Sequence, residues 1–221
     1  MSESKSVVYN DLDDFIEKAQ KDDYVFRGQT EDWELLPAIG RNDNYDSDKE
    51  RQMFFHFKSR FYPYTQVLPK DDMDILFLAQ HYGLKTRLLD WTINPLIALY
   101  FACSPDGESD KKEGVIYFKK RKSDERILKE AHTCFPFDGV CNQLLIPDYI
   151  DIRYRNQSGL FYFFKDPSKP DTDYDMKLLI PSSSKKDIME KLNTIKINET
   201  YVFPTLNSLC KELNKIIDNE M

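Results

Sequence analysis

The chain reads as an α+β fold, a single domain in which a mixed or antiparallel sheet surrounds a buried central helix, with further helices on the flanks. Three observations carry that expectation. Short runs rich in β-branched and aromatic residues (24–27, 115–118, 160–164, 176–180) alternate with segments of helical period. From Leu96 to Cys103 only Leu, Ile, Ala, Tyr, Phe and Cys occur, and a helix apolar on every side is a buried one. No repeat, linker or break in composition divides the 221 residues, a length suited to one large domain. The domain spans 1–221, with its core over about 24–213.

Composition narrows the class. Hydrophobic residues make up 41% and aromatics 14%, enough large side chains to fill a core and too many for a disordered tail. The net charge of −7 argues against a general nucleic-acid binder, because neutralising phosphates takes basic excess. No apolar run approaches the roughly 20 residues that cross a bilayer. The first ten residues lack the basic, apolar and small-residue order of a secretory signal. The expected location is therefore cytoplasmic, with Cys103, Cys134, Cys141 and Cys210 as reduced thiols. His132, Cys134 and Cys141 lack a fourth ligand and the tight spacing of a structural zinc site, so no metal is expected.

In chain order, residues 11–20 place Leu12, Phe15, Ile16 and Ala19 on one helical face, with Asn10 and Asp13 spaced as a cap. Residues 24–27 form a strand ending at Gly28, which leaves Arg27 at a strand end. Pro37 and Gly40 make 33–41 an irregular connection. Asp46, Ser47 and Asp48 offer caps for a helix to about residue 61, with Met53, Phe54, Phe57 and Phe61 as its inner stripe and His56 at its edge. Residues 71–82 form the next helix; Gln80 and His81 fall in its last turn and Gly83 supplies the C-cap. The central helix follows, with Leu96, Leu99 and Phe101 expected to be almost fully buried.

Beyond it, 104–113 is a polar loop, 123–131 a helix and 132–142 irregular. Residues 144–146 and 149–154 read as strands, the second alternating Ile150, Ile152 and Tyr154 against Asp151, Arg153 and Arg155. The polar stretch 166–175 reads as a hairpin-like excursion before the strand at 176–180. A serine trio after Pro181 caps a helix around 186–192, and an amphipathic helix over 205–217 follows.

The chemistry-bearing residues gather just ahead of the central helix: Gln80, His81, Tyr82, Lys85, Thr86, Arg87, Asp90, Trp91 and Thr92. Pro95 suits a first helical turn and makes Asn94 the N-cap, so the helix's N–H groups and positive dipole end point back at this cluster. That is a place to hold an anion. Arg27, Arg155 and Gln157 join it from other strands. A structural role stands beside each functional one. Arg27 suits a phosphate or a buried pair. His81 suits proton transfer near neutral pH or the last carbonyls of its own helix. Arg87 and Asp90 face a ligand or brace each other, and Trp91 is core or a stacking platform. The signatures of serine hydrolases, P-loops and Rossmann sites are missing, as is an acidic cluster for Mg²⁺.

One set of motifs runs along most of the chain. It comprises Gln80-His81-Tyr82-Gly83-Leu84, Thr86-Arg87-Leu88-Leu89-Asp90-Trp91-Thr92, Asn94-Pro95 and Ala98-Leu99-Tyr100-Phe101-Ala102. Leu36-Pro37 with Arg41, residues 155–161 and Val202-Phe203-Pro204 with Leu206 add to it. Together they resemble the FRG domain of bacterial and phage proteins, a family named for a Phe-Arg-Gly near its start, where this chain has Phe26-Arg27-Gly28-Gln29. Lys85 stands where that family usually has proline. The resemblance raises the functional reading of His81 and implies a setting in bacterial or phage conflict.

The order of parts is also similar to that of NAD-dependent ADP-ribosyltransferases. Those enzymes hold NAD with an Arg or His on the first strand, shape the pocket with a Ser-Thr-Ser strand and orient the ribose with a late Glu. Here Gln157 stands at the late position. The similarity implies catalytic roles for His81, Asp90 and Gln157, and a ligand-holding role for Arg27, Gln80, Arg87, Trp91 and Thr92. It makes NAD a substrate rather than a resident cofactor, and a small nucleotide-type ligand the expected partner. The alternative is a non-catalytic module that binds a nucleotide or a protein through the same pocket.

Overall fold

A computed structural model describes residues 5–8, 12–66, 68–105, 111–121, 136–137, 142–147 and 152–217. Among these lie strands β1 (Lys5–Val8), β2 (Tyr24–Gln29), β3 (Leu88–Thr92), β4 (Gly114–Lys120), β5 (Gln143–Leu145), β6 (Gly159–Phe163) and β7 (Met176–Ile180). The helices are α1 (Leu12–Gln20), α2 (Ser47–Lys58), α3 (Asp72–His81), α4 (Pro95–Cys103), α5 (Ile152–Gln157), α6 (Ser182–Thr194), α7 (Glu199–Val202) and α8 (Leu206–Ile217). All seven strands join one sheet in the order β1-β7-β4-β2-β3-β6-β5. β1 runs parallel to β7 and every other pairing is antiparallel. The fold is therefore α+β, built on a mixed sheet.

Side chains alternate across the sheet, as strand geometry requires, and the two faces are covered differently. On one face Phe26, Ile116, Phe118, Leu178 and Ile180 pack with α1, α4 and α6 in one core cluster. On the same face Leu88, Phe161 and Phe163 pack with α2, α3 and Tyr154 of α5 in a second. The opposite face gathers Val25, Leu89, Trp91, Val115, Tyr117 and Tyr162 beneath Leu35 and Tyr174, with no α-helix in that cluster among the described residues. Lys119 is buried there, paired with Asp171 at 2.9 Å and lying 4.4 Å from the Tyr162 ring centre. The helical face thus carries two cores side by side, and the boundary between them follows β2 and β3.

α4 is the helix the sequence points to. Its Ile97, Ala98, Leu99 and Ala102 are completely buried. Leu96 and Phe101 are only half-buried, which corrects the expectation for both; Phe101 turns towards the cleft described below. Residues 88–92, read from sequence only as part of a polar cluster, form a mid-sheet strand because Leu88, Leu89 and Trp91 find cover on both faces.

Several boundaries differ from expectation. Residues 152–157 are helical rather than the end of a strand; 149–151, the rest of that reading, lie outside the described residues, as do 123–131, Asn10, His132, Cys134 and Cys141. The 166–175 stretch is no hairpin, since β6 and β7 are separated by β3, β2 and β4. The serines after Pro181 lie inside α6 and give no side-chain cap, because Pro181 itself precedes the first turn. Asp46 and Asp71 cap α2 and α3 as their types suggest, each accepting from backbone N–H groups.

Candidate functional site

The seam between the two cores is where the sheet is weakest. β2 and β3 share one register pair, Phe26 with Thr92, whereas β2 pairs with β4 over its full length. A cleft of about 240 Å³ opens there. β2 supplies Phe26, Arg27 and Gly28, and β3 supplies Asp90, Trp91 and Thr92. Gln80 and His81 reach it from the last turn of α3, and Phe101 from α4. Arg153, Tyr154 and Gln157 of α5 close the remaining side with Phe161. Most of the residues read from sequence as candidates therefore meet in one place.

The Phe-Arg-Gly triplet has a separate physical task for each residue. Phe26 is buried against Phe118, the rings meeting edge-on at 5.0 Å. Arg27 spans the open seam: its Nη1 donates to the Asp90 carbonyl oxygen at 2.6 Å and its Nε to Gln29 Oε1 at 3.1 Å. Its second terminal nitrogen has no hydrogen-bond partner among the described residues. Burial pulls the guanidinium down to about 10, opposed by the nearby Asp90 charge; it remains a cation at neutral pH. Gly28 lets α4 approach, because a Cβ there would sit 1.8 Å from the Ala98 carbonyl oxygen.

Asp90 is the exposed carboxylate of β3, held by a directional relay. The Leu88 N–H donates to Thr86 Oγ1 at 3.1 Å, the Thr86 hydroxyl to Gln80 Oε1 at 2.6 Å, and Gln80 Nε2 to Asp90 Oδ2 at 3.1 Å. A backbone N–H can only donate and an ionised carboxylate can only accept. The orientation of the Gln80 amide is thus dictated from both ends. His81 is half-buried beside it, 4.9 Å from the Tyr82 ring and 5.1 Å from the Tyr154 ring.

The remaining candidates divide. Gln157 lines the cleft, with Nε2 donating to the Val202 carbonyl at 3.0 Å. Thr92 donates to the Gln157 carbonyl at 2.6 Å and accepts from the Asn94 N–H, which ties β3 to the end of α5. Trp91 reaches the cleft wall, but its side chain is 2% exposed in the core of the opposite face, so it offers no open ring for stacking. Arg87 lies away from the cleft. It binds both Glu50 oxygens, at 2.8 and 2.5 Å, points further donors at the Phe164 and Lys165 carbonyls, and lies 4.8 Å from the Phe137 ring centre. It braces α2 to the sheet and does not pair with Asp90.

Arg155 is exposed on α5 and does not line the cleft; Arg153 does. Its guanidinium lies 4.9 Å from the Phe203 ring centre, and its Nη1 approaches the His81 carbonyl at 3.5 Å. Arg153, Tyr154 and Gln157 share a face only if the segment is a helix, where residues three and four apart are neighbours. A strand reading separates them, and so sequence reasoning missed Arg153 and Tyr154. Nor does the N-terminus of α4 face the cleft as expected. The Asn94 side chain accepts from the Leu96 N–H and its carbonyl from Ile97 and Ala98, and none of these residues lines the cavity.

With two arginines, a fixed carboxylate, a histidine and apolar walls, the cleft can hold an anion beside a flat ring and can offset positive charge near Asp90. Thiolate chemistry is not on offer from Cys103, whose burial pushes the thiol up to about 12. Among the described residues no group of three or more His, Cys, Asp or Glu could hold a metal, and no helix is long and apolar enough to cross a membrane.

No curated protein and no solved structure matches the chain. The family model of the FRG domain matches residues 22–111, the stretch that supplies Arg27, Gln80, His81, Asp90 and Phe101 to the cleft, while α5 completes it from beyond that match. Over residues 22–111, the chain is similar to the FRG domain.

Proposed function

We propose that the cleft between β2, β3, α3 and α5 binds a phosphate-bearing, nucleotide-type ligand, and that NAD is its substrate in an ADP-ribosyltransferase-like or NAD-processing reaction. The observation that supports this most is the convergence of Arg27 and Arg153 on the same small cleft as Asp90, whose carboxylate the Thr86–Gln80 relay holds in place. The open terminal nitrogen of Arg27 suits a phosphate oxygen, as charge-assisted bonds to guanidinium do. The volume, about 240 Å³, falls below the roughly 300 Å³ at which small-molecule sites usually begin. It therefore suits one nucleotide-sized half of NAD, with the other half in the opening.

On this reading the bond between ribose C1′ and the nicotinamide nitrogen breaks, and its electron pair leaves with nicotinamide. Asp90 offsets the positive charge developing on the ribose. A nucleophile, water or a target side chain, then bonds to C1′ and gives up a proton, for which His81 is the nearby acceptor. Gln157 occupies the late position, and Gln80, Thr92, Trp91 and Arg87 hold the walls or the frame behind them. The setting that goes with this activity is conflict between bacteria and phage.

The rival reading, a binding module without turnover, draws on Gln157: the side chain that stands where a transferase has Glu is already engaged with the Val202 carbonyl. Nicotinamide release distinguishes the two. Asp90→Asn keeps the shape and an oxygen for Gln80 while removing the charge. It should leave NAD binding and melting temperature near wild type and slow release by about a hundredfold or more. NAD binding with no release by the wild-type chain, with candidate targets present, would favour the module.

A further inference from the structure

Apart from the cleft, a groove of about 730 Å³ runs along α2 and the end of α3. Its floor is apolar, made by Met53, Phe57, Leu78 and Leu84. Its rim carries Lys49, His56 and Arg60 and no acidic residue. Met53 and Phe57 belong to the stripe that sequence assigns to the inside of α2, yet both are only half-buried. Tyr82, 63% exposed, projects beside them from the turn that Gly83 makes at φ 87°. The cleft uses Gln80 and His81 of that motif; the groove takes Tyr82 and Leu84.

We propose that this groove docks an acidic amphipathic helix from a partner protein. Charge complementarity argues for acidity. The chain carries −7 overall, but every charged residue at the groove is basic. Lys49, His56 and Arg60 make no ion pair with described residues, whereas neighbouring Lys58 is paired with Asp72. Spacing argues for a helix. The three basic residues are strung from the first turn of α2 to just past its end, about 16 Å at helical rise, so they match acidic groups along a segment and not one headgroup at one end. Apolar side chains at helical spacing between two helices are the form in which an amphipathic helix is received. The chain's own amphipathic α8 is the wrong occupant, since it offers Lys211 and Lys215 against a single Glu212.

Fluorescence anisotropy tests this with a panel of labelled peptides of about 14 residues, about four helical turns. Each carries leucines at helical spacing with glutamates on the flanks, and each has a counterpart with lysine for glutamate. The glutamate peptides should bind the full chain, more weakly as salt rises, and the lysine peptides should not. Lys49→Glu with Arg60→Glu should cut glutamate-peptide affinity about tenfold or more, some 1.4 kcal/mol, admit the lysine peptides and leave the melting temperature unchanged. Met53→Asp, which puts a charge in the apolar floor, should weaken the glutamate peptides. Binding by no peptide, equal binding of the two sets, or indifference to the double reversal overturns the proposal. So does stronger competition by an anionic fatty acid or anionic lipid vesicles, or a dimer in sedimentation that the double reversal abolishes.

Discussion

At the scale of single residues, the Phe-Arg-Gly triplet shows how one short motif serves core, site and packing together. Phe26 and Gly28 face the helical side, where Gly28 meets the Ala98 carbonyl at a distance no side chain tolerates. The obstruction is backbone, which cannot rotate away. Gly28→Ala should therefore destabilise the chain by about 3 kcal/mol, the upper part of the usual overpacking range, measured by denaturant unfolding. A loss below about 1 kcal/mol would mean α4 can move aside. Arg87 teaches the reverse lesson about candidate residues. It stands inside the most recognisable motif of the chain, yet its donors are taken up by Glu50 and two carbonyls. Sequence pairs it with Asp90 because they are three apart; in the fold Arg87 stands just before β3 and turns to Glu50 of α2 instead.

At the scale of elements, the long apolar or clearly capped segments were legible. α4 was readable because an all-apolar run after Asn-Pro has one physical solution, and α2 and α3 because Asp46 and Asp71 signal their starts. Leu99, 0% exposed between the sheet and α6, should cost about 2–5 kcal/mol when cut to Ala. A calorimetric loss under about 1 kcal/mol would place α4 at the periphery. The elements that failed were short. Residues 152–157 alternate apolar and charged as a strand does, but six residues are too few for periodicity to choose between strand and helix. Tertiary contact decides: Tyr154 buries its ring against Phe161 and donates to the Phe77 carbonyl at 2.7 Å. That local choice brings Arg153 into the site and leaves Arg155 outside.

At the scale of the whole molecule, the site is a consequence of two cores sharing one sheet face. α1, α4 and α6 cover one side of the seam and α2, α3 and α5 the other, and β2 and β3 separate between the two sets. The sequence showed that distant polar residues gather near α4. It did not show that they meet over a gap in the sheet, because strand order and the open seam come from long-range pairing that no local pattern carries. The central claim, as proposed above, is that this cleft, lined by Arg27 and Arg153, binds a phosphate-bearing nucleotide.

Arg153 and Arg155 allow a test within one short helix. Titration calorimetry with ADP-ribose should show binding to wild type, a loss of about 10- to 100-fold for Arg153→Ala as a charged hydrogen bond is removed, and no change for Arg155→Ala, with melting temperatures alike. Failure of wild type to bind ADP-ribose, or equal losses in the two variants, would contradict the account.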